Sequence, residues 1–316
     1  MSFLPDDPPS AEPVIFDRPQ SIGDLLTRSF QIYRARFAGL VGLAALLLVP
    51  YALIAGWLSW RVAANTEIAM RALQTGSRFP AQAMGGHMAT TFLLLLLGLL
   101  VNAILIPALI YQIGEFLHGR VASVGQSLRG GLSRFWAYVG MVIAQGIVFA
   151  LIGGVFAVIV VMLVLTMSAR ADPTSGQGPV LGVVEFLLIF GLAVVLLFIP
   201  WLFLFARWIA AMPALVLERR GPIESLGYSW HLTRWNTWRA IGFLVLLAIL
   251  GFIVRLPALF VQGILAVIVP PNPGSLLASS MIGTMMTMFI QILWLPFMLA
   301  ASTLFYYDLR ARKEEP

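Results

Sequence analysis

The chain has 316 residues, of which 60% are hydrophobic and only 11% are charged, and its mean hydropathy is +0.92. Ordinary soluble domains carry about 25% charged residues, so this composition argues against a soluble globular protein and predicts an integral membrane protein. Cysteine is absent, which excludes disulfides, thiol catalysis, cysteine metal sites and cysteine lipidation. The net charge of +6 reflects, in a membrane protein, which loops carry arginine, and we expect no nucleic-acid partner.

A proline-rich, acidic segment opens the chain. Residues 1–17 contain few apolar side chains and predict a disordered cytoplasmic tail. They lack the basic start and the apolar run of a secretory signal peptide, so we do not expect one here. Ser21 and Asp24 then have the spacing of a capping box, in which two side chains satisfy free backbone N–H groups of the first helical turn. This spacing predicts a short helix just before the first apolar run.

The same kind of helix start recurs twice. Ser123 and Gln126 repeat the capping-box spacing, and Gly221, Pro222 and Glu224 form a related start with proline at the first helical position. A long apolar run follows each start. A start that recurs in this way predicts a repeated supersecondary unit.

Six apolar runs are long enough to cross a hydrocarbon core of about 30 Å. They are residues 37–60, 90–113, 136–167, 180–206, 238–254 and a run within 277–306. The second run of each unit carries one proline, namely Pro107, Pro200 and Pro296. We therefore predict an all-α integral membrane protein with six transmembrane helices in three two-helix repeats. The repeats cover approximately 18–115, 118–217 and 218–308, a cytoplasmic interfacial amphipathic helix opens each one, and 309–316 form a charged cytoplasmic tail.

Three segments between or within these runs are less regular. Residues 62–88 are polar and predict an outer loop with helix around 63–73. The third run is longer than one span needs, and it tilts, protrudes or bends near Gly153 and Gly154. Residues 256–269 begin with Pro257 at their second position and are either a kinked continuation of the fifth helix or a separate helix on the outer surface.

The positions of the basic residues predict the orientation. With a cytoplasmic N-terminus, fifteen of the twenty basic residues lie on the inner side and five on the outer side. This bias follows the positive-inside rule. We expect a multi-pass protein of the bacterial cytoplasmic membrane with both termini in the cytoplasm.

The candidate functional residues are basic and aromatic positions around the predicted interfacial helices. Indole rings favour the headgroup layer, and arginine attracts anionic headgroups while its stem remains in hydrocarbon. The predicted contacts to lipids or to a protein partner are Arg34, Arg134, Ser229, Trp230, Arg234, Trp235 and Trp238. We expect membrane lipids as partners, anionic ones above all, and either a membrane protein partner or a second copy of the chain.

No catalytic, cofactor or metal constellation is evident in the sequence. The three histidines lie on separate segments, and no phosphate loop of the Walker type occurs. Ser225, Ser229 and His231 are close in sequence, but two small hydroxyl residues four apart favour close helix packing over a nucleophile and its base. Inside the predicted spans, Glu185 and Arg255 lie at similar depth, and we expect them to form an ion pair because an isolated carboxylate there is costly.

The sequence resembles a known bacterial family at several places. Residues 213–239 read PALVLERRGPIESLGYSWHLTRWNTWR, residues 304–314 read LFYYDLRARKE, and residues 21–37 read SIGDLLTRSFQIYRARF. These passages are similar to those of the membrane domain associated with glycerophosphoryl diester phosphodiesterases. The resemblance implies a membrane domain, which in some members precedes a catalytic barrel. We expect no such barrel and no phosphodiesterase activity here, because the chain ends shortly after the last span and a barrel needs about 250 residues.

These observations favour a non-enzymatic membrane protein that interacts with lipids or protein partners. One alternative is a small-molecule or lipid transporter, which would need a polar cavity at mid-membrane depth near Asn102, Gln145 or Glu185. Another is an accessory membrane domain of glycerophosphodiester metabolism, which the resemblance implies.

Overall fold

The computed structural model describes residues 19–74, 81–170, 179–269 and 273–314, and this part of the chain is helical and contains no strand. Its helices, in chain order, are α1 (Ile22–Ala35), α2 (Phe37–Gln74), α3 (Ala81–Leu117), α4 (Val124–Leu132), α5 (Phe135–Arg170), α6 (Pro179–Trp208), α7 (Ala211–Leu217), α8 (Pro222–Leu232), α9 (Thr237–Ile268) and α10 (Pro273–Glu314). The tail predicted at 1–17 lies outside the described residues.

The predicted helix starts of α1 and α4 are confirmed. The N–H of Asp24 donates to Ser21 Oγ at 3.1 Å, and the N–H of Ser21 donates back to the Asp24 carboxylate at 3.3 Å. In α4 the N–H of Gln126 donates to Ser123 Oγ at 3.3 Å, and the N–H of Ser123 donates to Gln126 Oε1 at 2.8 Å. Each box satisfies two N–H groups that a helix N-terminus otherwise leaves without partners.

The start of α8 is also confirmed. The N–H of Gly221 donates to the Glu224 carboxylate at 3.3 Å, and Pro222 occupies the first helical position. Proline is suited to that position because an N–H there would have no acceptor within the helix, so the N–H that proline lacks is not needed.

The three short helices α1, α4 and α8 bury the same two positions. In each helix, the residues four and eight places after the N-cap are fully buried; they are Leu25 and Ser29, Ser127 and Gly131, and Ser225 and Ser229. Five of these six residues are serine or glycine, and the sixth is Leu25. Small residues allow a helix axis to approach its neighbour closely, so these positions define the packed face of each short helix.

Six stretches of the described helices are long and apolar enough to cross a membrane, as the sequence predicts. They are Phe37–Arg61, Met88–Leu117, Phe135–Met162, Phe190–Leu217, Thr237–Ile268 and Met281–Lys313. The third runs in α5, which continues through Gly153 and Gly154 without a break. The fourth includes a turn at Ile209 and Ala210, after which the short helix α7 begins.

The helix predicted around 63–73 is confirmed, and it is the end of α2, which continues without a break to Gln74. Residues 62–74 are polar but rich in alanine and other good helix formers. The loop predicted to extend to residue 88 is shorter, because α3 already begins at Ala81. Hydropathy therefore locates the apolar part of α3 and misses its start.

The C-terminal end shows the same kind of difference. The charged tail predicted at 309–316 is helical through Glu314, because α10 continues that far.

At the fifth span, α9 runs unbroken through Pro257 to Ile268. The two interpretations of 256–269 are thereby resolved in favour of a continuation of the fifth helix.

The core lies around α3 and α10. Helix α2 packs against both of them, α5 packs against α3 and α6, and α9 packs against α6 and α10. Each short helix also has a preferred neighbour, since α1 packs on α10, α4 on α3, and α8 on α5 and α7 with further contact to α6. Phe243 of α9 and Phe305 of α10 are fully buried and stack with their ring centroids 4.3 Å apart.

Gly131 provides a test of this packing. A Cβ atom at Gly131 would lie 2.6 Å from the carbonyl oxygen of Ile104 and 2.8 Å from Ala108, so Gly131→Ala cannot be accommodated without moving α4 away from α3. We expect it to lower the free energy of unfolding by about 1–3 kcal/mol, the usual cost of overpacking. Thermal and denaturant unfolding in detergent, followed by tryptophan fluorescence, measures the change.

Gly125 is the matched control on the same helix. Nothing lies within 4 Å of a Cβ placed there, so Gly125→Ala should be neutral or stabilise by about 0.5 kcal/mol through its better helix propensity. Equal effects of the two substitutions would contradict the close packing of α4 on α3.

Candidate functional site

The short helices and the ends of the long ones form one polar end of the bundle. We define this polar end as α1, α4, α7 and α8 together with the last turns of α3 and α10. Contacts link its parts, because Gln20 before α1 bonds to Asp308 of α10, and Glu218 after α7 bonds to Arg310 of α10. All seven predicted contact residues lie on or next to the helices of this end.

Tryptophan is strongly exposed at the polar end. Trp235 is 87% and Trp238 is 85% exposed, and the guanidinium of Arg234 lies 5.4 Å from the Trp235 ring centroid. Trp136, at the start of α5, is 80% exposed and was not among the predicted contacts. Exposed indole rings beside arginine are typical of a protein surface in a headgroup layer.

Trp230 is held against α6. The guanidinium of Arg207 lies 4.5 Å from the Trp230 ring centroid and donates to the Trp230 carbonyl at 3.3 Å. The Phe203 ring meets the Trp230 ring edge to face at 5.9 Å. Trp230 therefore has a fixed orientation and still exposes 40% of its surface.

The three predicted arginines differ in their surroundings. Arg34 and Arg234 are exposed, and Arg134 is half-buried. Burial, followed by the positive charge of Arg219, lowers the pKa of Arg134 from its ordinary value. Two arginine side chains are therefore close to one another in this part of the polar end.

The prediction of a surface contact at Ser229 is wrong. Ser229 is fully buried, its hydroxyl donates to the Arg207 carbonyl at 2.7 Å, and it accepts from the N–H of Ala210 at 3.2 Å. These bonds satisfy backbone groups at the turn between α6 and α7. Ser225 is also buried and donates to the Pro222 carbonyl at 2.7 Å. Both serines pack α8 into the bundle, as their spacing favours.

Asp308 is the centre of a hydrogen-bonded cluster. Its side chain is fully buried and accepts from Arg239 Nη2 at 2.9 Å and from Arg312 Nε at 3.1 Å. Its other oxygen accepts from the N–H of Gln20 at 2.7 Å. The Gln20 carbonyl accepts in turn from Arg239 and, at 3.0 Å, from Arg312. The cluster thus joins the start of α1, the start of α9 and the end of α10.

Glu218 is the centre of a second cluster. It accepts from the Tyr306 hydroxyl, from Arg220 Nε at 2.7 Å and from Arg310 Nη1 at 3.2 Å. Burial raises the pKa of Glu218, but the hydrogen bonds from Tyr306 and Arg220 and the charges of Arg220 and Arg310 outweigh burial and hold the pKa below its ordinary value. Glu218 therefore remains an anion that ties α7 to α10.

The remaining polar residues do not form a metal site in the described part of the chain. No group of three or more histidine, aspartate or glutamate side chains converges there as metal ligands do. Asn102 donates to the Gly98 carbonyl of its own helix at 2.8 Å. The Glu185 side chain lies outside the described residues, so its ion pair with Arg255 stays a prediction.

Sequence reasoning missed the carboxylates and tyrosine that organise the polar end. Asp308 and Arg312 are four residues apart on one helix, which was a local signal for an ion pair. The decisive partners Gln20 and Arg239 are 288 and 69 residues away from Asp308, and no spacing in a single sequence indicates them.

The described part of the chain is an all-α structure with six helices long and apolar enough to cross a membrane. Residues 38–309 match the family model of a domain of unknown function, DUF7847. The match covers most of the chain, and the chain belongs to this family. No curated protein and no solved structure matches it.

The Asp308 cluster provides a test of what holds the polar end together. We expect Asp308→Ala to lower the free energy of unfolding by about 2 kcal/mol or more, because it leaves two arginines and a backbone N–H without their shared acceptor. Unfolding in detergent by intrinsic fluorescence measures this loss.

A double-mutant cycle and a surface variant control the measurement. Arg239→Ala should couple to Asp308→Ala by about 1 kcal/mol or more, since the two side chains are in direct contact. Lys313→Ala, exposed one turn later, should change stability by less than about 0.5 kcal/mol. Additive effects of the Arg239 and Asp308 variants would show that the contact does not stabilise the fold.

Proposed function

We propose that the protein is a non-enzymatic integral membrane protein whose polar end binds anionic phospholipid headgroups. The observation that supports this most directly is the exposed surface of Trp235, Trp238 and Arg234. Indole rings partition to the headgroup layer, and each arginine near an anionic membrane surface contributes about 1 kcal/mol of attraction. A surface of this kind suits a protein that organises lipids or recruits a partner at the membrane.

We infer that the fold consists of three two-helix repeats, each opened by an interfacial helix. The equivalent buried positions in α1, α4 and α8 support this. Each short helix also exposes an apolar side chain nine places after its N-cap, namely Phe30, Leu132 and Trp230. An apolar side chain on the outer side of a surface helix inserts readily at the boundary of headgroups and acyl chains.

The packing order of the helices supports the same inference. The first long helix of each unit packs on the second long helix of the unit before it, in the pairs α5 with α3, α9 with α6, and α2 with α10. The last of these pairs joins the third unit to the first. Three repeats would therefore close into a ring, with α3 and α10 near its centre.

We propose that the polar end faces the cytoplasm of a bacterial cell and that both termini lie there. Fifteen of the twenty basic residues belong to this side in the predicted topology, in keeping with the positive-inside rule.

The resemblance to the membrane domain associated with glycerophosphoryl diester phosphodiesterases also stays a proposal. It would make the chain an accessory component beside a separate enzyme.

Lipid retention tests the proposed function. The full chain is purified in a mild detergent with equal phosphatidylglycerol and phosphatidylcholine, and native mass spectrometry counts the lipids that remain bound. We expect wild type to retain phosphatidylglycerol preferentially. The variant Arg34→Gln/Arg234→Gln removes two surface charges and should weaken this retention about tenfold or more, given about 1 kcal/mol per charge.

The matched control changes one arginine at the opposite end of the bundle. Arg61 follows the first apolar run and is exposed. Arg61→Gln should leave the preference unchanged, whereas Arg234→Gln alone should already weaken it. If these two single variants lose phosphatidylglycerol equally, or if neither loses it, the polar end is not the lipid-binding surface.

The proposed orientation has its own test. The chain contains no cysteine, so a single introduced cysteine is labelled without background. We expect a membrane-impermeant maleimide to label Ser77→Cys, between α2 and α3, in intact cells. Arg129→Cys, on the exposed side of α4, should react only after permeabilisation. The reverse labelling pattern would place the polar end outside the cell.

A further inference from the structure

A polar cavity lies inside the polar end and is distinct from its exposed tryptophan surface. Its volume is about 400 Å³, and it is formed by the end of α3, the end of α4, the residues after α7 and the last turns of α10. Its charged lining residues are Glu115, Arg120, Arg134, Glu218, Arg219 and Arg310. Cavities of a few hundred Å³ with a few convergent polar groups are the usual form of a small-ligand site.

The acidic residues of the cavity are already neutralised. Glu115 accepts two hydrogen bonds from Arg120, at 2.7 and 3.0 Å. Glu218 accepts from Arg310 and also from Arg220, which lies outside the lining. Each carboxylate therefore has at least one guanidinium in direct contact.

Two positive charges of the cavity are not compensated. The side chains of Arg134 and Arg219 form no ion pair or hydrogen bond with any residue in the described part of the chain. They nevertheless lie near enough for the charge of Arg219 to affect the ionisation of Arg134. Arg134 is half-buried and Arg219 is exposed, so these two like charges lie at the open side of the cavity, where a bound anion would relieve their repulsion.

The backbone conformation of Arg219 is also unusual. Its φ of 56° is in the left-handed region, and among the described residues it is the one residue other than glycine with a positive φ. This conformation costs roughly 1 kcal/mol for a residue with a Cβ atom. Arginine stands here at a position where glycine would be favoured, beside a second unpaired arginine.

We propose that this cavity binds a phosphate group through Arg134 and Arg219. A guanidinium presents its N–H donors as a planar fork that matches phosphate oxygens, and two such forks supply enough positive charge to balance either a phosphate diester or a phosphate monoester. The hydroxyl group of Tyr111, which also lines the cavity, is available as a further donor. The phosphate has two possible sources, a phospholipid headgroup and a free phosphate ester, because the cavity lies at the end of the bundle next to the headgroup layer.

This proposal adds a separate site within the same polar end, and it does not depend on the exposed tryptophan surface that supports the proposed function. The lipid surface involves exposed side chains on α1, α8 and α9, whereas the cavity lies between α3, α4, α7 and α10. Loss of surface contact in Arg34→Gln/Arg234→Gln would leave binding in the cavity intact. The two proposals can therefore fail separately.

The test uses the full chain in a maltoside detergent after removal of phospholipid. Glycerol 3-phosphate and inorganic phosphate probe a free source, phosphatidylglycerol in mixed micelles probes a headgroup, and sodium chloride at matched ionic strength is the blank. We expect at least one phosphate probe to raise the midpoint of thermal unfolding in a saturable manner, because a ligand that binds only the folded state stabilises it. Binding of the soluble probes assigns a free phosphate ester, and binding of phosphatidylglycerol alone assigns a headgroup.

Variants tie the effect to the cavity. Arg134→Gln and Arg219→Gly should each weaken binding about tenfold to hundredfold, the usual value of a hydrogen bond to a charged group. Arg219→Gly also relieves the left-handed backbone, so this variant is expected to fold even if Arg134→Gln does not. Arg129→Gln, an exposed position on α4 that does not line the cavity, should bind as wild type. The proposal is overturned if no phosphate probe stabilises the protein, or if Arg219→Gly binds as tightly as Arg129→Gln.

Discussion

The buried carboxylate of Asp308 is the constraint on which the polar end depends. A carboxylate is stable away from water only when its oxygens are hydrogen-bonded and its charge is balanced. Asp308 meets both conditions with Arg239, Arg312 and the backbone of Gln20. Because these partners belong to three different helices or their ends, satisfying one carboxylate fixes the relative positions of α1, α9 and α10. The Glu218 cluster acts on α7 and α10 in the same way.

Close approach of the short helices is the second constraint. The packing at Gly131 leaves no room for a side chain against α3. The Ser229 hydroxyl is hydrogen-bonded to backbone groups at the turn between α6 and α7. With their small residues turned inward, α4 and α8 present their larger apolar residues, such as Leu132 and Trp230, to the outside. A soluble protein would bury these side chains, whereas a membrane gives them an apolar environment.

Local signals in the sequence predict much of this fold. Capping boxes locate the starts of α1 and α4, and hydropathy locates six membrane-length stretches, because both depend on residues close to one another in the chain. The site is harder to predict. The partners of Asp308 and the two unpaired arginines at the cavity meet through tertiary packing, which leaves no local pattern. Ser229 is a related case, because its spacing from Ser225 favours helix packing while its place beside Trp230 and Arg234 suggested a surface contact, and helical periodicity alone does not say which face is buried.

The bond between Gln20 and Asp308 has a consequence for the order of the chain. It places the start of α1 beside the end of α10, with 288 residues of chain between the two contacts. The first and last helices are held together by noncovalent contacts alone, whereas the chain itself links α3 to α5 and α6 to α9. The fold is therefore suited to circular permutation, in which a short linker joins the residues near 20 to those near 312 and new ends are opened in the loop between α3 and α4. The order in which the helices are synthesised is then separable from the structure they form.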